Sequence, residues 1–204
     1  MIVYVESNFV LEIALGQEES ASAERVLDFA RNRNVELVVP TFALCEPFGT
    51  ITQRGRDGLR LSRTLADHLR QLLRSEPHRS ELQAFESVPE TLTRVHGNEM
   101  RLLESTLREL LSLARTIELT KEIFEEALEF GSRFGLSPQD AVIYASVLSD
   151  LRKRPATPSR SIFVSRNYKD FEDPDIQRQL NRFKCRYVSS YAEAAQAVES
   201  GIKT

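Results

Sequence analysis

The chain opens on an unbroken apolar run, Met1-Ile-Val-Tyr-Val5, the pattern of a short strand buried on both faces. Glu6-Ser7-Asn8 ends the run, and Ser7 or Asn8 is placed to cap a helix through Leu15. A second helix is predicted over 21–31, with Val26, Phe29 and Ala30 on one face, and then a strand from Val35 to Val39 closed by Pro40. Further on, Thr116 to Leu119 reads as a short strand and Thr120 as the cap of a helix ending before Gly135. Ser137-Pro138 opens another helix, running to about Arg152. The remainder predicts a strand from Ser161 to Ser165, a helix from Asp175 to Phe183, a strand from Cys185 to Ser189 and a last helix from Tyr191 to Ser200, stopped by Gly201. Strands alternating with helices predict an α/β fold, a three-layer, doubly wound parallel sheet.

Between about Thr50 and Arg115 the alternation gives way to leucines at 61, 65, 69 and 72, and again at 103, 107 and 110, spacing that fits amphipathic helices. This predicts a helical insertion within one domain spanning 1–204, with breaks at Ser75 to Pro77 and at Val88-Pro89, where Pro89 can start a long helix. The proline-rich stretch from Arg154 to Arg160 reads as a helix-to-strand linker. A chain of 204 residues, 41% hydrophobic and 28% charged, is large enough for one well-buried core. No apolar stretch approaches the roughly 20 residues that span a bilayer, and Met1 to Val5 lacks the basic start of a signal peptide, so a cytoplasmic location without a membrane is expected. Two cysteines, Cys45 and Cys185, are expected to be reduced and buried. A net charge of −3 argues against a uniformly basic nucleic-acid coat and leaves local patches to be read.

Four carboxylates, Glu6, Glu46, Asp140 and Asp170, fall at predicted strand ends or helix starts, where a parallel sheet presents side chains to one edge. Gathered there, they need a cation. Each also has an ordinary reading. Asp140, three residues after Ser137, can satisfy backbone N–H groups at a helix start; Glu46 can be a helix-start acid favoured by the dipole; Glu6 can be a plain strand-end charge. Asp170 sits in a polar loop, Asn167 to Asp175, where Asp builds turns and where Asp173 competes with it. Pro47 would kink a helix begun at Thr41, so the regular helix is expected to start close to Pro47, with Glu46 at its mouth.

Four segments carry a resemblance: Tyr4-Val-Glu-Ser-Asn-Phe-Val-Leu11, Val39-Pro-Thr41 leading to Glu46, Leu136-Ser-Pro-Gln-Asp-Ala141, and Phe163-Val-Ser-Arg-Asn-Tyr-Lys-Asp-Phe171. In order and spacing they resemble the PIN-domain family, a metal-dependent ribonuclease fold that includes toxin components of toxin–antitoxin pairs. The resemblance implies a PIN-like sheet and an Mg²⁺- or Mn²⁺-dependent endoribonuclease hydrolysing RNA phosphodiester bonds. It also implies an antitoxin protein partner in the toxin branch, and a homodimer. Glu6, Glu46, Asp140 and Asp170 would hold the metal, with Ser7, Asn8, Asn167 and Asp173 as polar support, in keeping with the preference of hard divalent cations for carboxylate oxygens. The chain departs from the family where Glu6 stands in place of the usual Asp, which leaves the alternative of a catalytically weak or inactive PIN-like scaffold binding RNA or a protein.

The insertion adds seven arginines between Ile51 and Ser80 against three acids, and Arg54, Arg56, Arg60 and Arg63 are candidate RNA contacts. Arginine outnumbers lysine 22 to 5 over the chain, so a solvated charged face is the competing reading. A receiver or nucleotide-binding domain ranks last, because neither G-x-G-x-x-G nor G-x-x-x-x-G-K-[ST] occurs.

Overall fold

The computed structural model describes residues 1–154 and 160–202; the linker expected from Arg154 to Arg160 therefore lies, over 155–159, outside the described residues. Among the described residues the strands are β1 (Ile2–Tyr4), β2 (Glu36–Pro40), β3 (Arg115–Ile117), β4 (Ser161–Val164) and β5 (Cys185–Val188). They form one sheet in the order β3-β2-β1-β4-β5, every neighbouring pair parallel. A parallel sheet covered by helices must be apolar on both faces. Accordingly all of Ile2 to Val5, Leu37 to Val39 and Ile162 to Val164 are buried.

The helices are α1 (Ser7–Leu15), α2 (Ser20–Arg31), α3 (Thr41–Leu72), α4 (Glu76–Leu82), α5 (Val88–Leu113), α6 (Lys121–Phe134), α7 (Pro138–Lys153), α8 (Tyr168–Phe171), α9 (Pro174–Arg182) and α10 (Tyr191–Ile202). Helices α1, α2 and α10 pack as one group and α6 with α7 as another, α7 lying on β2 and β3. The chain leaves β1 for β2 on one side and returns to β4 on the other. That is the reversal at which open α/β sheets place their ligand sites, beyond the carboxyl ends of the strands. Among the described residues no helix is long and apolar enough to cross a membrane.

The backbone divides into two compact units, Met1–Pro47 with Ser105–Thr204, and Phe48–Glu104. In the second unit the predicted breaks recur, with Pro77 in the first turn of α4 and Pro89 in the first turn of α5. The buried face of α3 differs from the leucine face read from the sequence. Leu69 is buried, but Leu61 and Leu72 are 57% and 47% exposed. Within 48–72 the buried positions are instead Ile51, Gly55, Ser62 and Leu69, recurring at i, i+4, i+11 and i+18. Two of these are small because α5 comes close: a Cβ on Gly55 would lie 2.0 Å from Cε1 of His96. Beside that contact the Ser62 hydroxyl donates to the Pro89 carbonyl at 2.8 Å.

Other local departures have evident causes. The polar loop after Asn167 contains a turn of helix, α8, seated by the buried Phe171. Helix α10 runs on through Gly201 to Ile202. Both cysteines are free as expected, but only Cys185 is buried; Cys45 lies on the exposed side of α3, between Leu44 and Glu46.

Candidate metal centre

Glu6 stands two residues past the end of β1 and is itself the N-cap of α1, a role expected of Ser7 or Asn8. The Asn8 backbone N–H donates to Glu6 Oε2 at 2.8 Å, so one carboxylate oxygen satisfies an unpaired donor of the first turn. The other oxygen, Oε1, is buried without a hydrogen-bond partner, and the residue is only 2% exposed. A buried orphan acceptor of this kind is costly unless something electropositive meets it.

Glu46 comes from α3, which begins at Thr41 and not near Pro47. The Thr41 hydroxyl donates to the Ile117 carbonyl at 2.8 Å, tying the helix start to the end of β3, and Ala43 and Leu44 are buried beneath it. Pro47 thus stands inside the helix, where it removes the N–H that would bond the Ala43 carbonyl. Glu46 is the sixth helical residue, past the turn in which the dipole favours an acid, so that ordinary explanation fails for it. Ser7 links the two glutamates: its hydroxyl lies 2.7 Å from Glu46 Oε2 and 3.0 Å from Glu6 Oε2. A serine carries one hydroxyl hydrogen, so it serves one carboxylate fully only at the other's expense.

Asp140 and Asp170 form a second linked pair. Ser137 caps α7, its oxygen accepting from the Asp140 N–H at 3.1 Å. The Asp140 carboxylate is thereby released from capping and takes its own hydrogen bonds at Oδ2, from the Ser137 hydroxyl at 2.5 Å and Asn167 Nδ2 at 2.9 Å. The same Nδ2 donates to Asp170 Oδ2 at 2.5 Å. Asn167 is steadied by its own N–H, which donates to the hydroxyl of fully buried Ser165 at 3.1 Å, and the Ser165 carbonyl accepts from the Tyr187 hydroxyl at 2.8 Å. Phe171 anchors the loop against Phe163, with ring centroids 5.0 Å apart.

Two expected supports behave differently. Asp173 caps α9, its Oδ1 accepting from the N–H groups of Asp175 at 2.7 Å and Ile176 at 3.3 Å. Asn8 contributes its backbone N–H to Glu6. Ser165 and Tyr187 were not singled out in the sequence, and nothing in their spacing would have marked them; their part comes from β4 and β5 lying side by side. Nor did the sequence suggest the fate of Arg166, next to Asn167. Its guanidinium donates to buried Glu12 at 2.7 Å and to Glu18 at 3.3 Å, so it is engaged with other acids. Of the four candidate RNA contacts, Arg54 pairs with Glu99 at 3.3 Å, whereas Arg56, Arg60 and Arg63 line a shallow groove together.

The electrostatics record crowding. Burial pushes Glu6 up to about 7, and the charges of Glu46 and Asp140 add to this, against the hydrogen bonds from Asn8 and Ser7 that pull it down. Burial likewise raises Asp140, assisted by Asp170 and opposed by Ser137 and Asn167. Among the described residues no three His, Cys, Asp or Glu side chains stand together as a metal cage. The acids stand as two bridged pairs, and the charges that act most on Glu6 and Asp140 are those of other acids. The donor set is all oxygen, which suits Mg²⁺ or Mn²⁺ and offers nothing to a thiophilic metal.

No curated protein matches the chain. One solved structure similar to it is the crystal structure of VapBC2 from Rickettsia felis bound to a DNA fragment from their promoter; the likeness covers 92% of this chain and 99% of the matched one, with 11% identity and a TM-score of 0.44. The sequence profile of the PIN domain matches residues 3–171, a span that contains all four acids. The chain belongs to the PIN-domain family.

Proposed function

We propose that this protein is an Mg²⁺- or Mn²⁺-dependent endoribonuclease that hydrolyses RNA phosphodiester bonds at the carboxyl edge of the sheet, with Glu6, Glu46, Asp140 and Asp170 as the residues that would hold the ion. Membership of a family whose members are generally nucleases supports the reaction class. The observation that carries the reading is the buried Glu6 carboxylate, one oxygen of which lacks any partner while the other is joined through Ser7 to Glu46, beside the Asp140 and Asp170 pair joined through Asn167. When bound, a divalent ion supplies Lewis-acid polarisation of the phosphodiester and lowers the pKa of a water nucleophile. In this reading the four carboxylates hold the ion, and Ser7 and Asn167 fix the spacing within each pair. Ser165 and Phe171 keep Asn167 and Asp170 from drifting on their loop. With no cation present, Glu6 retains a proton to about neutral pH, and that proton must leave before the carboxylate can act as a ligand.

The test is cleavage of a mixed-sequence labelled RNA by metal-stripped protein, with Mg²⁺ or Mn²⁺ added back and Asp140→Asn as the control. Cleavage that requires the ion and vanishes in the folded variant is the expected result. Growth arrest on induction of the wild type but not of Asp140→Asn would assign a toxin role; normal growth with cleavage in vitro would assign RNA processing. A second reading, a scaffold that binds without cutting, is favoured by the capping duty of Glu6 Oε2. It predicts no cleavage at saturating metal from a protein that still retains RNA.

A further inference from the structure

The unit Phe48–Glu104 contains a charge arrangement that the acid pairs do not explain. Three of its nine arginines are paired with acids: Arg54 with Glu99 at 3.3 Å, Arg70 with Asp67 at 2.8 Å and Arg79 with Glu76 at 2.7 Å. Arg56, Arg60 and Arg63 are different. Among the described residues none of them has an acid within ion-pairing distance, and the acid nearest in sequence, Asp57, takes its hydrogen bond from Gln53 at 3.1 Å. All three are exposed and line a groove of about 390 Å³ with Leu59 and Thr64.

Their spacing, i, i+4 and i+7, keeps them within an arc of about 60° on α3, pointing away from the Ile51, Gly55, Ser62 and Leu69 face. Along the axis they rise by about 6 Å and then about 4.5 Å, steps of the same order as successive phosphates in a single strand. Three like charges on one helix face repel one another, so the arrangement costs stability unless a polyanion covers it. Guanidinium groups meet phosphate oxygens with a planar fork, and the half-buried Leu59 leaves the groove an apolar floor for a sugar or base.

We propose that Arg56, Arg60 and Arg63 form a phosphate-gripping stripe for the backbone of single-stranded RNA. This rests on the ribonuclease reading for the identity of the ligand, but on the stripe alone for its binding. Contacts of this kind are blind to sequence, and they add affinity and orientation without taking part in the chemistry.

Binding is measured with the full chain in EDTA, where no cleavage can occur, by fluorescence anisotropy of a short labelled mixed-sequence single-stranded RNA over a salt series. Each lost phosphate contact removes about 0.7 from the slope of log K against log salt, so Arg56→Ala/Arg60→Ala/Arg63→Ala is expected to remove about 2. By the same relation it lowers affinity about 10²-fold at about 0.1 M salt. The corresponding triple lysine variant keeps the charges and is expected to keep the slope, which separates loss of contact from loss of fold. Arg70→Ala/Arg79→Ala, which removes arginines already paired with acids, is expected to leave the slope unchanged. An unchanged slope in the triple alanine variant, or an equal drop in the paired-arginine control, overturns the stripe. Metal-dependent cleavage by the wild type with an unaffected triple variant would sink the stripe and leave the nuclease standing. Stripe-dependent binding without any cleavage would do the reverse.

Discussion

Two clusters of carboxylates sit in the same unit and are treated in opposite ways. One is built at the starts of β2 and β3 and the end of α7. There Asp150 Oδ2 accepts from the Tyr4 hydroxyl at 2.7 Å, from Arg115 at 2.7 Å and from Arg154 at 2.8 Å, while Glu36 takes a fork from Arg154 at 2.8 and 2.9 Å and a further bond from Arg115 at 2.8 Å. Two acids meet two arginines. Hydrogen bonds from Arg154 and then Arg115 hold Glu36 down to about 2 despite its partial desolvation. At Asp150 burial pushes upward, but Arg115, Arg154 and Tyr4 prevail and the group ends below its ordinary value. At the carboxyl edge the neighbours that act on Glu6 and Asp140 are themselves acids, and Glu6 rises to about 7 while Asp140 also rises. The fold thus sets arginines against Glu36 and Asp150, whereas at the carboxyl edge acids lie beside acids and burial raises Glu6 and Asp140.

The strongest way to break the comparison is the same chemical change in both places. Asp140→Asn is expected to lower metal-dependent cleavage by about 10²-fold or more, since even outer partners of metal ligands matter at the 10–100-fold level. In EDTA it should leave thermal stability equal to or above wild type, because it removes one of the crowded charges. Asp150→Asn should do the opposite, costing about 1 kcal/mol because Arg115 and Arg154 keep Glu36 but lose the Asp150 charge, while cleavage per folded molecule persists. Calorimetry and a cleavage assay on both variants decide it; destabilisation by Asp140→Asn with unaltered cleavage would make the carboxyl edge merely structural.

Metal addition is the next lever. At about a hundredfold excess over its Kd, Mg²⁺ or Mn²⁺ adds about 2.7 kcal/mol by mass action, a rise in Tm of about 5–10 °C for a chain of this size. Glu36→Gln should show the full rise and Glu6→Gln a reduced one. No rise at saturating metal would remove the cation from the account.

The two clusters should also answer pH in opposite directions. Without metal, the unfolded chain releases the Glu6 proton near 4.5 while the folded protein keeps it to about 7. The unfolded state therefore binds fewer protons across that window, and stability falls as pH rises through it, the loss being complete above about 7. Glu36 runs the other way: its stabilising contribution is present above the ordinary carboxylate range and is lost as pH falls towards about 2. Melting curves in EDTA from pH 3 to 8 should show the upper slope flattened in Glu6→Gln and the lower one flattened in Glu36→Gln. The smallest expected effect is that of Asp173→Ala. It removes a helix cap at a cost of about 1 kcal/mol and leaves metal affinity and cleavage unchanged, marking an acid of the same loop that lies outside the pairs.

What could be read along the chain was local. The apolar runs at Met1 to Val5 and Ser161 to Ser165, the Ser137-Pro138 start and the Thr120 cap all recur in the structure, with boundaries moved by a residue or two. Amphipathic periodicity succeeded at Leu103, Leu107 and Leu110, all buried, and failed at Leu61 and Leu72. It failed because Gly55 and Ser62, which carry little hydrophobic signal, are the residues that let His96 and Pro89 approach. Pro47 misled for a related reason. A proline's local cost argues against a helix, but the anchored start at Thr41 and the burial of Ala43, Leu44 and Ile51 outweigh it.

The sequence by itself determined that β1, β2 and β4 are buried parallel strands and that Glu6, Asp140 and Asp170 stand just past strand ends or at a helix start, because burial pattern and capping chemistry act over a few residues. Only the tertiary structure decided which side chains each acid meets, because that is set by the packing of segments far apart in the chain. Ser7 reaches Glu46 across 39 positions, Asn167 reaches Asp140 across 27, Arg166 is engaged by Glu12 across 154 and Arg154 by Glu36 across 118. Electrostatic balance depends on distances in space, and no period in the sequence encodes them.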